Sequence, residues 1–198
     1  MLKTIFLVLV CSLSFFSSSK GMATSLNFEN LIDSTLVGDN YSADGIHFVN
    51  TIALVAGISL NDIDFPPSSG LVAITDNGAP IRISFDFAVT DIFANFTYSL
   101  PLTFNIYSDI AFNNLLGSLS STSSSNLGVT ELINMGFSGV RSLEISGDPS
   151  GFSFIMDDLN FQSTTPVPEP AEILLFVSGL VGMLLSFRKK LNYTRVLT

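Results

Sequence analysis

The chain has 198 residues, 47% of them hydrophobic and 13% charged, which is enough apolar material for one domain with accessory segments and is not a disordered composition. Between Thr24 and Thr165 stand fifteen Asp and Glu against only Arg82 and Arg141, a net charge of −13, while the other six Lys and Arg sit near the two ends. Such a polyanionic surface repels phosphate backbones and anionic lipid, which argues against nucleic acid as a partner.

In chain order, the first element is a targeting segment. Lys3 supplies a positive flank, Ile5 to Phe16 an apolar core, and Gly21-Met22-Ala23 small residues at the positions a signal peptidase reads. Residues 1–23 are therefore expected to be a signal peptide, cleaved after Ala23. Cys11, the only cysteine, falls inside it, so the exported chain would hold no disulfide, thiolate metal site or cysteine nucleophile.

Residues 24–163 read as strands. Ile81, Ile83, Phe85, Phe87 and Val89 alternate with Arg82, Ser84, Asp86 and Ala88, the period of two of a half-buried strand. The same alternation recurs in Phe96, Tyr98 and Leu100, in Leu102, Phe104 and Ile106, and in Phe152, Phe154 and Met156. Turn chemistry separates these runs: Asp76-Asn77-Gly78 suits a tight reversal, Pro66-Pro67-Ser68-Ser69-Gly70 a loop, and Ser118 to Asn126 a serine-rich connection. Apart from a short turn around Asn113 to Leu116, no helical periodicity precedes residue 171. The pattern predicts an all-β domain, an antiparallel β-sandwich of jelly-roll type.

Residues 164–170 form a proline-rich linker. Each proline lacks a backbone donor and holds its predecessor extended, so the approach through Pro168-Glu169-Pro170 is open chain that a protease groove could accept. Ala171 to Phe187 is an apolar run of seventeen residues. As a helix it reaches roughly 25 Å, close to the minimum for a hydrocarbon core of about 30 Å. Residues 171–187 are accordingly expected to be a transmembrane helix. Arg188, Lys189 and Lys190 follow at once and predict that 188–198 is a cytoplasmic tail, with the domain on the opposite side.

Catalytic chemistry finds little support. His47 is the only histidine, so a three-histidine zinc site is impossible and a Ser-His-Asp triad would have to use that residue, which lies in a strand as Ile46-His47-Phe48. Gly136-Phe137-Ser138-Gly139 lacks the spacing of a nucleophile elbow. Asp62 and Asp64 make the most suggestive carboxylate pair, yet they precede Phe65-Pro66-Pro67 and read as a solvated loop. The expectation is a protein that is not an enzyme.

The signal peptide, Pro168-Glu169-Pro170, the apolar run and the basic cluster together resemble the PEP-CTERM sorting segment of Gram-negative, mostly biofilm-forming bacteria. That resemblance implies an exosortase as processing partner, a transient inner-membrane anchor, and delivery to the cell surface or extracellular matrix beside exopolysaccharide.

The segments NFENLID (27–33), YSADGIHFVN (41–50), FPPSSG (65–70), ISFDFAVTDIFANF (83–96) and GDPSGFSFIMDDLNF (147–161) resemble the jelly-roll ectodomain often attached to this signal, which is similar in outline to carbohydrate-binding modules. That second resemblance implies a structural calcium between first and last strands, with Glu29 and Asp157 as ligands and Asp158 as runner-up; hard oxygen donors suit that ion. The other reading is that Asp157 and Asp158 end a strand and cap a turn. Three roles follow: a matrix component that is structural or weakly polysaccharide-associated, a calcium-dependent carbohydrate-binding module, or a single-span membrane-anchored adhesin. Sugar binding would draw on Tyr41, Tyr98, Tyr107 or exposed phenylalanines, since there is no Trp. Ice binding lacks its Thr-x-Thr arrays.

Overall fold

A computed structural model of the chain describes residues 23–164, together with Ser178 and Gly179. Gly21–Thr165 constitutes one compact unit. Its described residues form ten strands: β1 (Ala23–Leu26), β2 (Ile46–Val49), β3 (Thr51–Val55), β4 (Val72–Asp76), β5 (Ile81–Tyr98), β6 (Thr103–Tyr107), β7 (Leu115–Ser120), β8 (Glu131–Asn134), β9 (Val140–Ser146) and β10 (Phe154–Ser163). All pairings between these strands are antiparallel, and a 3-10 turn spans Ser42–Asp44. The all-β antiparallel class is as the alternation predicts.

The long strand β5 organises the rest. Its first half pairs with β2 and β9, and its second half with β8 and β10. On one side the sheet continues through β9, β6 and β7; on the other it continues through β10, β4 and β3, with β1 added along β10. The wing on the first half of β5 faces the wing on its second half: Phe96 of the second half packs edge-on against Phe104 of β6 with ring centroids 5.1 Å apart, and Phe85 of the first half lies 5.2 Å from Phe161 of β10. One hydrogen-bonded sheet is thus doubled over the main apolar core.

Two aspartates make that doubling compatible with the pleat. In β5 the residues buried in the core are Ile81, Ile83, Phe85 and Val89, then Ile92, Ala94, Phe96 and Tyr98. The switch from odd to even numbers falls at Asp91, whose φ of 51° is left-handed. In β10 the core residues are Phe154 and Met156, then Leu159 and Phe161, and the switch falls at Asp158 with φ 50°. The β5–β10 register shifts between Asp157 and Asn160. An inserted residue turns every later side chain to the opposite face, bends the strand and sharpens its twist, so these bulges keep the apolar set inside while the sheet curls.

The structure redraws several boundaries. The runs around 81–89 and 96–100 belong to one strand, because the bulge interrupts the period without ending the pairing, and Leu100 lies beyond its end. Ser118 and Ser120 are residues of β7 and not of the serine-rich connection, which shortens to the segment after them. Phe152 precedes β10 in left-handed backbone and is 54% exposed. The turn near Asn113 gives way to β7 at Leu115, and β1 starts at Ala23, the residue after which cleavage is expected.

A second, small core explains why β4 is buried throughout. Val72 and Ile74 face the main core, while Ala73 packs with Leu60 and Ile155 on the other face of the sheet, joined there by Leu54 and Phe65. The chain between β3 and β4 therefore folds back over the outside of its own strands.

The bulge in β5 gives a direct test. Replacing Asp91 with Val forces a β-branched residue into the left-handed region and should cost about 1–2 kcal/mol. Asp91→Gly should change stability by less than about 1 kcal/mol. Chemical denaturation of the two variants would reveal this ordering; equal losses would contradict the bulge assignment.

Candidate functional site

The expected signal peptide up to Met22 and the sorting residues Pro168, Glu169, Pro170, Arg188, Lys189 and Lys190 lie outside the described residues, as do 171–177 and 180–187 of the expected span. Among the described residues no helix is long and apolar enough to cross a membrane.

The three acids implicated in calcium binding all act on one loop. Glu29 is not on the first strand, which ends at Leu26; it sits in the turn beyond, where its carboxylate accepts the backbone N–H groups of Leu71 (3.0 Å) and Val72 (2.9 Å). Asp157, 1% exposed in β10, accepts at Oδ2 the backbone N–H groups of Ser68 and Ser69, each at 2.9 Å. The Ser68 hydroxyl is within reach of both Asp157 and Asp158 (2.9 and 2.6 Å), and the Ser69 hydroxyl donates to Asp158 at 2.9 Å. Gly70 makes the turn possible: its φ is +56°, and a Cβ there would collide with the Glu29 carboxylate.

This arrangement does not fit a calcium ion. Calcium takes six to eight oxygens converging on one point. Here the carboxylate oxygens of Glu29 and Asp157 face N–H donors, and among the described residues no group of three or more His, Cys, Asp and Glu is placed to hold a metal. The alternative reading holds only in part: Asp157 and Asp158 do not end a strand, since both lie inside β10 (Phe154–Ser163), and the turn they hold is Ser68-Ser69, a loop 89 residues away from Asp157. Burial pushes the Asp157 carboxyl above its ordinary value, opposed by the hydrogen bonds from Ser69 and Ser68.

His47, half-buried on β2, is held between two carboxylates: Nδ1 lies 2.7 Å from Asp39 and Nε2 lies 3.3 Å from Asp86. A triad needs a hydroxyl at the nitrogen opposite the acid, and both nitrogens here face acids. The Asp39 hydrogen bond is the main cause that raises the imidazole above its ordinary value, with Asp86 adding to it against the opposing effect of burial. The ring therefore pins the segment before the 3-10 turn to β5. Asp62 and Asp64 are exposed, and Asp64 accepts from the Asn61 amide at 2.7 Å, as a solvated loop would.

Of the candidate aromatic platforms, Tyr41 and Tyr98 are 6% and 0% exposed, their hydroxyls bonded to Asn30 and Glu131. Tyr107 alone of the three reaches the surface, half-buried on the outer face of β6. Periodicity puts Tyr98 on the apolar phase of its strand and Tyr107 on the phase opposite Phe104 and Ile106, in keeping with their burial, but assigns no face to Tyr41. Nor does it point to Ser68 and Ser69 as partners of the acids, since hydrogen bonds spanning 89 residues leave no local signal.

Removing the Asp157 carboxylate should strand two backbone donors, so Asp157→Ala is expected to lose about 1–3 kcal/mol. Millimolar calcium should leave the melting temperature of the unmodified protein unchanged; a rise would contradict the loop-clamp assignment. For His47, the raised value in the folded state means that its stabilisation is full below the unfolded value of about 6.5 and fades as pH rises through the folded one. The melting-temperature gap between the unmodified protein and His47→Gln should therefore shrink as pH is raised from about 5 to 8.

The sequence matches no protein-family model and no curated protein. Among solved structures, the K2 cleaved adhesin domain of Lys-gingipain is similar at 9% identity, over 71% of this chain and 99% of that one, with a TM-score of 0.47. The K1 adhesin domain of Lys-gingipain from Porphyromonas gingivalis W83 gives 11% identity, 73% and 100% coverage and a TM-score of 0.46. CBM35 from Paenibacillus barcinonensis gives 17% identity, 71% and 99% coverage and a TM-score of 0.31. At these scores the likenesses assign neither a ligand nor a family to this chain.

Proposed function

We propose that this is an exported surface or extracellular-matrix protein, anchored transiently through 171–187, processed by an exosortase at Pro168-Glu169-Pro170, and structural or weakly polysaccharide-associated through its β domain. The observation that carries the reading is the partition of charge: six of the eight Lys and Arg flank the two membrane-directed ends, and the domain between them is polyanionic. Arg188, Lys189 and Lys190 directly behind the apolar run are the positive flank that keeps the C-terminal end of a stop-transfer helix in the cytoplasm, with the domain on the other side. The domain adds support by what its acids and histidine do: Glu29, Asp157 and Asp158 hold a loop, and His47 bridges Asp39 and Asp86. Those groups act as structure, which suits a module whose task is to persist and adhere.

Mass spectrometry of the surface form, from a host with an exosortase and from the same host without it, tests the reading. The expected surface chain lacks Arg188 and everything after it, while the exosortase-free host, or a variant with Pro168, Glu169 and Pro170 all changed to Ala, retains that end in the membrane fraction. A surface chain that still carries Arg188 would contradict processing.

A further inference from the structure

The outer face of the wing formed by β2, the first half of β5, β9, β6 and β7 carries a polar and aromatic cluster. Arg82, Glu144 and Asn105 stand side by side in register on β5, β9 and β6. The Arg82 side chain is 49% exposed and donates from Nε to Glu144 at 2.8 Å. The loop from Ser108 to Asn114 crosses this face: the Ser142 hydroxyl donates to the Asp109 carbonyl at 2.6 Å, and the loop lays Phe112 against Arg82, with the guanidinium carbon 5.0 Å from the ring centroid. Tyr107 meets the same ring edge-on at 5.5 Å.

Phe112 is held there against its backbone preference. Its φ is 58°, a region costly for a bulky aromatic residue and one that persists only where the surroundings enforce it. The enforcement is visible: the Asp109 carboxylate accepts the backbone N–H groups of Ala111 (2.8 Å), Asn113 (3.3 Å) and Asn114 (2.5 Å) around it. A ring fixed on a solvent-facing sheet, next to a planar guanidinium, a carboxylate and an amide, combines an apolar platform with hydrogen-bonding groups of both kinds.

We infer that Phe112 and Tyr107, with Arg82, Glu144 and Asn105, form a binding face for a neutral polysaccharide. Carbohydrate rings present C–H faces that stack on aromatic surfaces and hydroxyls that pair with carboxylate, amide and guanidinium together. Charge selects the neutral class: Arg82 is matched by Glu144, Arg141 donates to the Phe85 carbonyl, and the domain around them is polyanionic, so an acidic polymer is repelled. The five paired strands span about 19 Å at about 4.8 Å each, an extended surface that suits a chain polymer better than a single sugar. The inference rests on the matrix reading above and gives it a ligand class.

The full chain in detergent micelles, incubated with a panel of insoluble neutral polysaccharides and with acidic ones such as alginate, tests the site by depletion. The unmodified protein should bind at least one neutral polymer and none of the acidic ones. Phe112→Gly removes the ring and its strained backbone together, so it should retain the melting temperature while weakening binding about tenfold; Arg82→Gln should weaken it as well. If the unmodified protein binds no neutral polymer, the polysaccharide part of the proposed function fails and the site with it. If it binds and both variants bind equally well, the site alone is wrong. Preference for acidic polymers would overturn the ligand class.

Discussion

The fold depends on two aspartates in left-handed backbone, Asp91 in β5 and Asp158 in β10. A strand presents alternate residues to opposite faces, so a sheet that curls over one core must correct its phase where it bends. Each aspartate supplies that correction, and the two strands it affects are hydrogen-bonded neighbours. Asp and Asn tolerate this conformation better than other side chains with a Cβ, because a short polar group can bond locally. Without the correction, Ile92, Ala94, Phe96 and Tyr98 would turn outward and the core would lose its centre.

Once the inner face is reserved for apolar residues, the chain's chemistry is confined to the outer faces and the loops that cross them. Two loops fold over the outside of the sheet, and each is held by a carboxylate that accepts backbone N–H groups: Asp157 for Ser68 and Ser69, Asp109 for the segment that presents Phe112. Burial alone pushes the Asp109 carboxyl up, yet the hydrogen bonds from Asn114, Asn113 and Ala111 together outweigh it and hold the group below its ordinary value. A domain so rich in acid and so poor in base cannot neutralise its carboxylates with salt bridges, and the backbone takes that part.

The strands are legible in the sequence because alternation is a local signal: β5, β6 and the start of β10 can be read from residue types alone. The bulges are not, because an inserted residue looks like the end of a strand until its partner is known, which is why β5 reads as two runs. Composition assigns the serines at 118 and 120 to a loop, although pairing with Asn105 and Thr103 makes them strand residues. In the candidate site the acids Glu29, Asp157 and Asp158 stand out as a group, but their partners lie 42 to 90 residues away and can only come from the structure. Phe112 gives no signal at all, since its significance lies in a backbone angle and a neighbouring guanidinium.

The doubling of one continuous sheet over its main core sets where both outer faces lie. Nuclear Overhauser contacts between the ring protons of Phe96 and Phe104 report on it, because Phe96 lies in the second half of β5 beside β10, Phe104 lies on β6 of the facing wing, and their centroids stand 5.1 Å apart. Strong cross-peaks between the two rings are expected. Their absence, with the β5–β10 pairing still intact, would contradict the doubling.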